Sequence, residues 1–199
     1  MVIWHLSEST EELIALMPDP ESARNALQGI VLEKRQREWL ASRLLLAKCT
    51  GGAMLRNLPN GKPFIEDGKH ISISHCDDFA GMILGDDPVG LDIQNLHPTI
   101  LRIFRKFSNE LEIDDAHNSG DKHTYFTIIW SVKEAIFKFF GERVTFSEDI
   151  AVKTFNITDD LILAEYRGEH GNFSFELGHV FMNGYHILYT QSYMQRMTN

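Results

Sequence analysis

Glu134 and Lys138 stand four residues apart in the run WSVKEAIFKFFG, which extends from Trp130 to Gly141, and Trp130 lies a further four residues upstream of Glu134. On a helix this spacing lines up an aromatic anchor, an acid and a base along one side. The ordinary explanation of such an acid and amine is an exposed ion pair, worth roughly 0.2–0.5 kcal/mol. A second acidic position argues for more than that. Gly90-Leu91-Asp92-Ile93-Gln94 follows Ile73-Ser74-His75 in the chain. In a strand, Asp92 and Gln94 share one face and Leu91 and Ile93 the other. Acidic residues are uncommon in strands, so Asp92 either faces water or has a task.

Ser74, His75 and Cys76 invite a nucleophile–base assignment, and strand geometry argues against it. Neighbours in a regular strand point to opposite faces, so neither Ser74 with His75 nor His75 with Cys76 can form the contact that activation requires. Taken alone, His75 is read as a packed or capping histidine.

These residues need an α+β frame. Val2 to Leu6 reads as a strand, and Ser9 opens a helix that Pro18 and Pro20 close. Ile30 to Lys48 reads as a long helix with Leu32, Trp39, Leu40, Leu44 and Leu45 inward. It carries Lys34, Arg35, Arg37, Arg43 and Lys48 on the remaining surface, and Gly51-Gly52 ends it. A solvated face explains these cations more simply than an anion site does. Leu58 to Pro63 is a turn signal that sets Lys62 at a rigid corner. His70 to Cys76 and Phe79 to Leu84 form a predicted hairpin, and Pro88 to Ile93 a third strand. Ile100 to Phe107 reads as a helix bearing Arg102, Arg105 and Lys106. Ser108 is the expected cap of the next helix, and the acidic stretch from Glu112 to Lys122 is read as ending in a loop. After the central helix, strands are expected at 150–155, 161–166, 172–177 and 179–189, followed by a frayed tail over 190–199. Each half supplies a long helix and antiparallel strands, so the expected molecule is one two-lobed unit, 1–86 and 87–199.

Length and charge bound the function. The chain has 199 residues and a formal charge of −9, enough to bury a substantial core and too acidic for general nucleic-acid binding. No apolar run reaches the roughly 18 residues of a membrane span, and the first residues lack a signal-peptide pattern. A cytoplasmic protein is expected. Cys49 and Cys76 have no zinc or redox spacing.

Five motifs in order carry a family likeness: GKP at Gly61 to Pro63, ISISH at Ile71 to His75, VGLDIQ at Val89 to Gln94, FSNE at Phe107 to Glu110 and WSVKEAIFK at Trp130 to Lys138. Together they resemble the 4'-phosphopantetheinyl transferase superfamily, and within it the longer, pseudo-duplicated type that activates carrier domains of peptide and polyketide synthases. The resemblance implies two similar lobes, each with antiparallel strands against a long helix. It implies Mg²⁺-dependent transfer of phosphopantetheine from coenzyme A to a serine of an apo acyl or peptidyl carrier protein, releasing adenosine 3',5'-bisphosphate. Asp92 and Glu134 would bind the metal. Lys62, Ser74 and His75 would hold phosphates of coenzyme A, and Lys138 would meet the pyrophosphate. Glu134, or Glu110 through water, would take the serine proton. Two carboxylates from separate elements suit Mg²⁺, which takes hard oxygen ligands and shares them with phosphate and water.

Gln94 stands where the family pattern has a third acid; its amide oxygen can ligate the metal but adds no charge. Arg43, or Arg37, is the expected partner of the 3'-phosphate of coenzyme A. Arg102, Arg105 and Lys106, flanked by Ile103 and Phe104, are the expected carrier-docking surface, and an internally duplicated chain is expected to act as a monomer. The alternatives are a catalytically impaired module that binds carrier protein or coenzyme A, and another Mg²⁺-dependent phosphotransferase.

Overall fold

Capped helices and antiparallel strand pairs account for the architecture of the computed structural model, which describes residues 1–66 and 68–196. The chain divides into two units, Met1–Asp87 and Pro88–Asn199. The first begins with strand β1, Val2–His5, and helix α1, Thr10–Leu16. Ser9 caps α1 through a reciprocal bond with Glu12. Pro20 does not only close α1. It occupies the first turn of a further helix, α2 (Pro20–Leu27), whose cap is Asp19. Proline has no N–H to lose at that position, so Asp-Pro is a start signal here.

Helix α3, Glu33–Thr50, ends at Gly51 in the left-handed conformation. Leu32 precedes it and is exposed, against expectation, while Leu40, Ala41, Leu45 and Leu46 are buried. Short strands β2 (Arg56–Asn57) and β3 (Pro63–Phe64) pair across the predicted turn. Strands β4 (His70–Cys76) and β5 (Phe79–Gly85) form the predicted hairpin, and the sheet order is β1-β5-β4. Leu6, Ala41, Leu45, Leu46, Ile71 and Met82 are among its core, the larger side chains each contributing roughly 1.5–3 kcal/mol where fully buried.

The second unit opens with β6, Leu91–Asn95, followed by α4, Ile100–Ile103, and one 3-10 turn, Phe104–Lys106. The expected single helix over 100–107 is thus two short turns. Helix α5 runs Glu110–Asn118 and is capped by Asn109 through a reciprocal bond with Glu112. Ser108 is not the cap; its hydroxyl is buried without a hydrogen-bond partner among the described residues. Helix α6, Lys122–Phe140, starts at Asp121, a turn and more ahead of the aromatic anchor, and stops at left-handed Gly141. Then come α7 (Phe146–Asp149), β7 (Ile150–Val152), β8 (Leu161–Gly168), β9 (Gly171–Met182) and β10 (Tyr185–Arg196).

The five strands form an antiparallel sheet in the order β6-β10-β9-β8-β7. Helix α6 lies against it, burying Phe126, Ile129, Val132, Ala135 and Ile136 with Ile162, Tyr166, Phe175 and Leu188. Gly178 does not break a strand as expected. It sits inside β9 because the Tyr189 ring covers it, and a Cβ there would lie 2.3 Å from that ring. The expected frayed tail is strand β10 as far as Arg196; residues 197–199 lie outside the described residues. No helix among the described residues is long and apolar enough to cross a membrane.

Candidate active site

Glycine at position 90 determines how closely β6 approaches α6. A Cβ there would fall 1.9 Å from the carbonyl oxygen of Ala135, so no other residue fits without moving backbone. The Gly90 carbonyl accepts from the N–H of Thr190 at 2.9 Å, and the Gly90 N–H donates to the Thr190 hydroxyl at 2.9 Å. Held between β10 and α6, Gly90 sets Asp92 two residues later beside the helix that carries Glu134 and Lys138. Lys138 Nζ donates to Asp92 Oδ1 at 2.8 Å and to the Leu91 carbonyl at 3.0 Å.

Asp92 is 5% exposed, so it does not face water as a surface strand residue would. The Glu134 carboxyl is pushed up to about 7, first by burial and then by the charge of Asp92, with Lys138 pulling the other way. Two carboxylates that repel each other in a desolvated place are a donor set that a divalent cation relieves. Gln94 follows on the same face of β6 and pairs in register with His186. Burial pushes that imidazole down to about 4, assisted by His179, so it brings no positive charge beside Gln94 at neutral pH. Among the described residues no group of three or more His, Cys, Asp or Glu side chains is placed to hold a metal. Asp92 and Glu134, two carboxylates that feel each other's charge, are the donor type that suits Mg²⁺.

The residue before Glu134 has a different task, unread in the sequence. Lys133 is fully buried and lies 2.7 Å from Glu112 Oε2, and 2.8–2.9 Å from the carbonyls of Phe107, Phe146 and Ile150. Glu112 Oε1 accepts from the Val152 N–H at 2.8 Å. This ion pair ties α6 to α5, to the turn before α5 and to the start of β7. Trp130 packs edge-on against Phe107, with ring centroids 5.1 Å apart. Both contacts fix the rotation of α6, and hence where Glu134 points.

In the first unit a cleft of about 470 Å³ is lined by Arg35, Glu38, Trp39, Arg43, Pro63 and His75 among others. It brings together two of the expected coenzyme A residues, Arg43 and His75. The Arg43 guanidinium stacks 3.6 Å from the Trp39 ring and donates to the Trp39 carbonyl; burial lowers it to about 10. Arg37 is engaged elsewhere, with Asp78 and the Leu6 carbonyl. Lys62, beside Pro63, sits at the turn where its N–H meets Asn60 Oδ1 at 3.1 Å, and partial burial lowers its ammonium. Ser74 is buried in β4, one position from His75 and therefore on the other face of the strand. Glu38, which the sequence did not single out, holds His75 Nδ1 at 3.2 Å.

On the second unit Arg102, Arg105 and Lys106 are exposed, and Arg105 lies over Phe104 at 5.3 Å. Glu110 is exposed at the start of α5.

A family model for the 4'-phosphopantetheinyl transferase superfamily matches residues 88–190, more than half of the chain. The chain belongs to that superfamily. Similar curated proteins are 4'-phosphopantetheinyl transferase psf-1 of Bacillus pumilus, 32% identical over 91 residues, and 4'-phosphopantetheinyl transferase Sfp of Bacillus subtilis strain 168, 31% identical over 93. The alignments cover 44% and 45% of this chain, and only 39% and 42% of those relatives' own length. A third, 4'-phosphopantetheinyl transferase gsp of Aneurinibacillus migulanus, is 30% identical over 93 residues, or 45% of this chain and 38% of that protein.

Proposed function

We propose that this chain transfers the 4'-phosphopantetheine group of coenzyme A to a serine of an apo acyl or peptidyl carrier protein. The observation that supports this best is the meeting of Asp92, Glu134 and Lys138 across the Gly90–Ala135 contact, inside the stretch that matches the superfamily.

In this reaction the serine oxygen bonds to the phosphorus that bears the pantetheine. The bond from that phosphorus to the bridging oxygen breaks, and adenosine 3',5'-bisphosphate leaves. Mg²⁺ held by Asp92 and Glu134, with Gln94 adjoining, would neutralise charge on the pyrophosphate oxygens. Lys138 contributes a point charge to the same oxygens. The serine proton passes to Glu134, or through water to Glu110. In the first unit Lys62, Ser74, His75 and Arg43 are assigned to phosphates of coenzyme A. Arg102, Arg105 and Lys106 are assigned to the carrier protein. The two units are taken as diverged halves of a duplicated cytoplasmic monomer.

Intact-protein mass of several apo carrier domains, incubated with the chain, coenzyme A and Mg²⁺, tests the assignment. The expected result is a gain of one phosphopantetheine on the carrier serine, lost without Mg²⁺ and nearly abolished in Asp92→Ala and Glu134→Ala with unchanged circular dichroism. Coenzyme A binding without any mass gain across the panel would instead favour a binding module.

A further inference from the structure

Glu38 of α3 is 5% exposed at the side chain, and both of its oxygens are engaged. Oε2 meets Arg35 Nη1 at 2.8 Å, one helical turn earlier, and Oε1 meets His75 Nδ1 at 3.2 Å on β4. Its partners are more open, with side-chain exposures of 60% for Arg35 and 36% for His75. All three line the same cleft as Arg43. A buried carboxylate thus anchors a guanidinium and an imidazole whose outer parts face solvent, and Arg43, stacked on Trp39, forms a third arm.

We propose that Glu38 is a positioning residue that makes this cleft selective for a phosphate monoester, here the 3'-phosphate of coenzyme A. The proposal rests on the reading that the first unit binds coenzyme A. With Nδ1 committed to Glu38, the imidazole is fixed in rotation, and a ligand contact from His75 falls to Nε2. Arg35, tied through one Nη, keeps its other N–H groups for the ligand. A single carboxylate set against the guanidinium groups of Arg35 and Arg43 leaves net positive charge in the cleft, which suits a dianionic group. Pre-fixing the donors lowers the entropy lost when that group binds.

Glu38→Gln tests this, because a carboxamide keeps the shape but must turn its NH₂ toward one of the two donors. Calorimetric titration with coenzyme A and with 3'-dephospho-coenzyme A, which differ only in that monoester, reads the effect. In the parent, coenzyme A binds more tightly. In Glu38→Gln it weakens by about tenfold to a hundredfold, the range of a charge-assisted hydrogen bond, while the dephospho form changes less than about twofold. His75→Ala, at a more exposed position, should reduce the same preference, and the double variant should be no worse than the larger single loss.

Equal weakening of both ligands in Glu38→Gln, or additive losses in the double variant, would overturn the role of Glu38 while leaving coenzyme A binding intact. A parent that binds neither ligand would remove the functional reading itself, and the proposal with it. Should Glu38→Gln fail to fold, Arg35→Gln, on an exposed side chain, carries the test with the same two ligands. It should lower the preference for coenzyme A, and an unchanged preference would overturn the clasp.

Discussion

The two units bury charge in opposite ways. In the first, a carboxylate lies inside and its partners lie outside: Glu38 is covered, and Arg35 and His75 open toward the cleft. In the second, Asp92 is covered beside Glu134, and a single Lys138 stands between neutral balance and repulsion. A buried anion that organises exposed donors makes a place for phosphate. Crowded carboxylates make a place for a metal cation. Acidity or basicity of the whole chain reports neither, because each effect is decided within a few ångströms.

Lys133→Met should break this contrast most severely. It leaves Glu112 buried without its charge partner, and loss of one member of a buried pair costs about 3–5 kcal/mol; denaturant titration should show it, while Arg24→Ala on the exposed pair with Glu11 changes stability by less than about 0.5 kcal/mol. Gly90→Ala comes next, because the added methyl meets backbone rather than a movable side chain. A destabilisation of about 1–3 kcal/mol is expected, with turnover falling more than stability would explain, since Asp92 moves away from Glu134.

A smaller effect concerns pH. The native Glu134 carboxyl is raised from the ordinary 4.5 to about 7, so between those values the native state holds a proton that the unfolded chain has lost. Its contribution to stability is therefore full below 4.5 and falls as pH rises through 7. At pH 8, Mg²⁺ should restore stability, by about 1.4 kcal/mol at ten times its Kd, in the parent and not in Asp92→Asn. A melting temperature at pH 8 indifferent to Mg²⁺ would count against the two-carboxylate site. Least affected is Arg105→Glu, which should raise the carrier's KM several-fold, a surface charge effect, and leave coenzyme A affinity alone. Unchanged kinetics would dismiss the patch.

Much of this was legible in residue order. The i,i+4 spacing of Trp130, Glu134 and Lys138, the Gly141 stop and the alternation in β4 and β6 follow from local periodicity, which neighbours in sequence carry by themselves. Helix α2 is hidden in the sequence because Pro20 reads as a terminator when Asp19 makes it a beginning. A helix after Ser108 is legible, but its cap is one residue later, at Asn109, and nothing local reveals that Glu112 faces inward to Lys133. Gly178 and Thr190 were misread for the same reason: their partners, Tyr189 and Gly90, are decided by strand pairing. In the first unit the alternation correctly separated Ser74 from His75, yet Glu38 looked like one more charge on a charged helix until β4 was laid beside it.

The two hydrogen bonds between Gly90 and Thr190 join positions 100 residues apart. Asp92, early in the second unit, is thereby steered by a strand far along the chain. Without Thr190 the chain loses both bonds that hold Gly90, so removal of β10 should silence the proposed chemistry although Asp92, Glu134 and Lys138 are all still present.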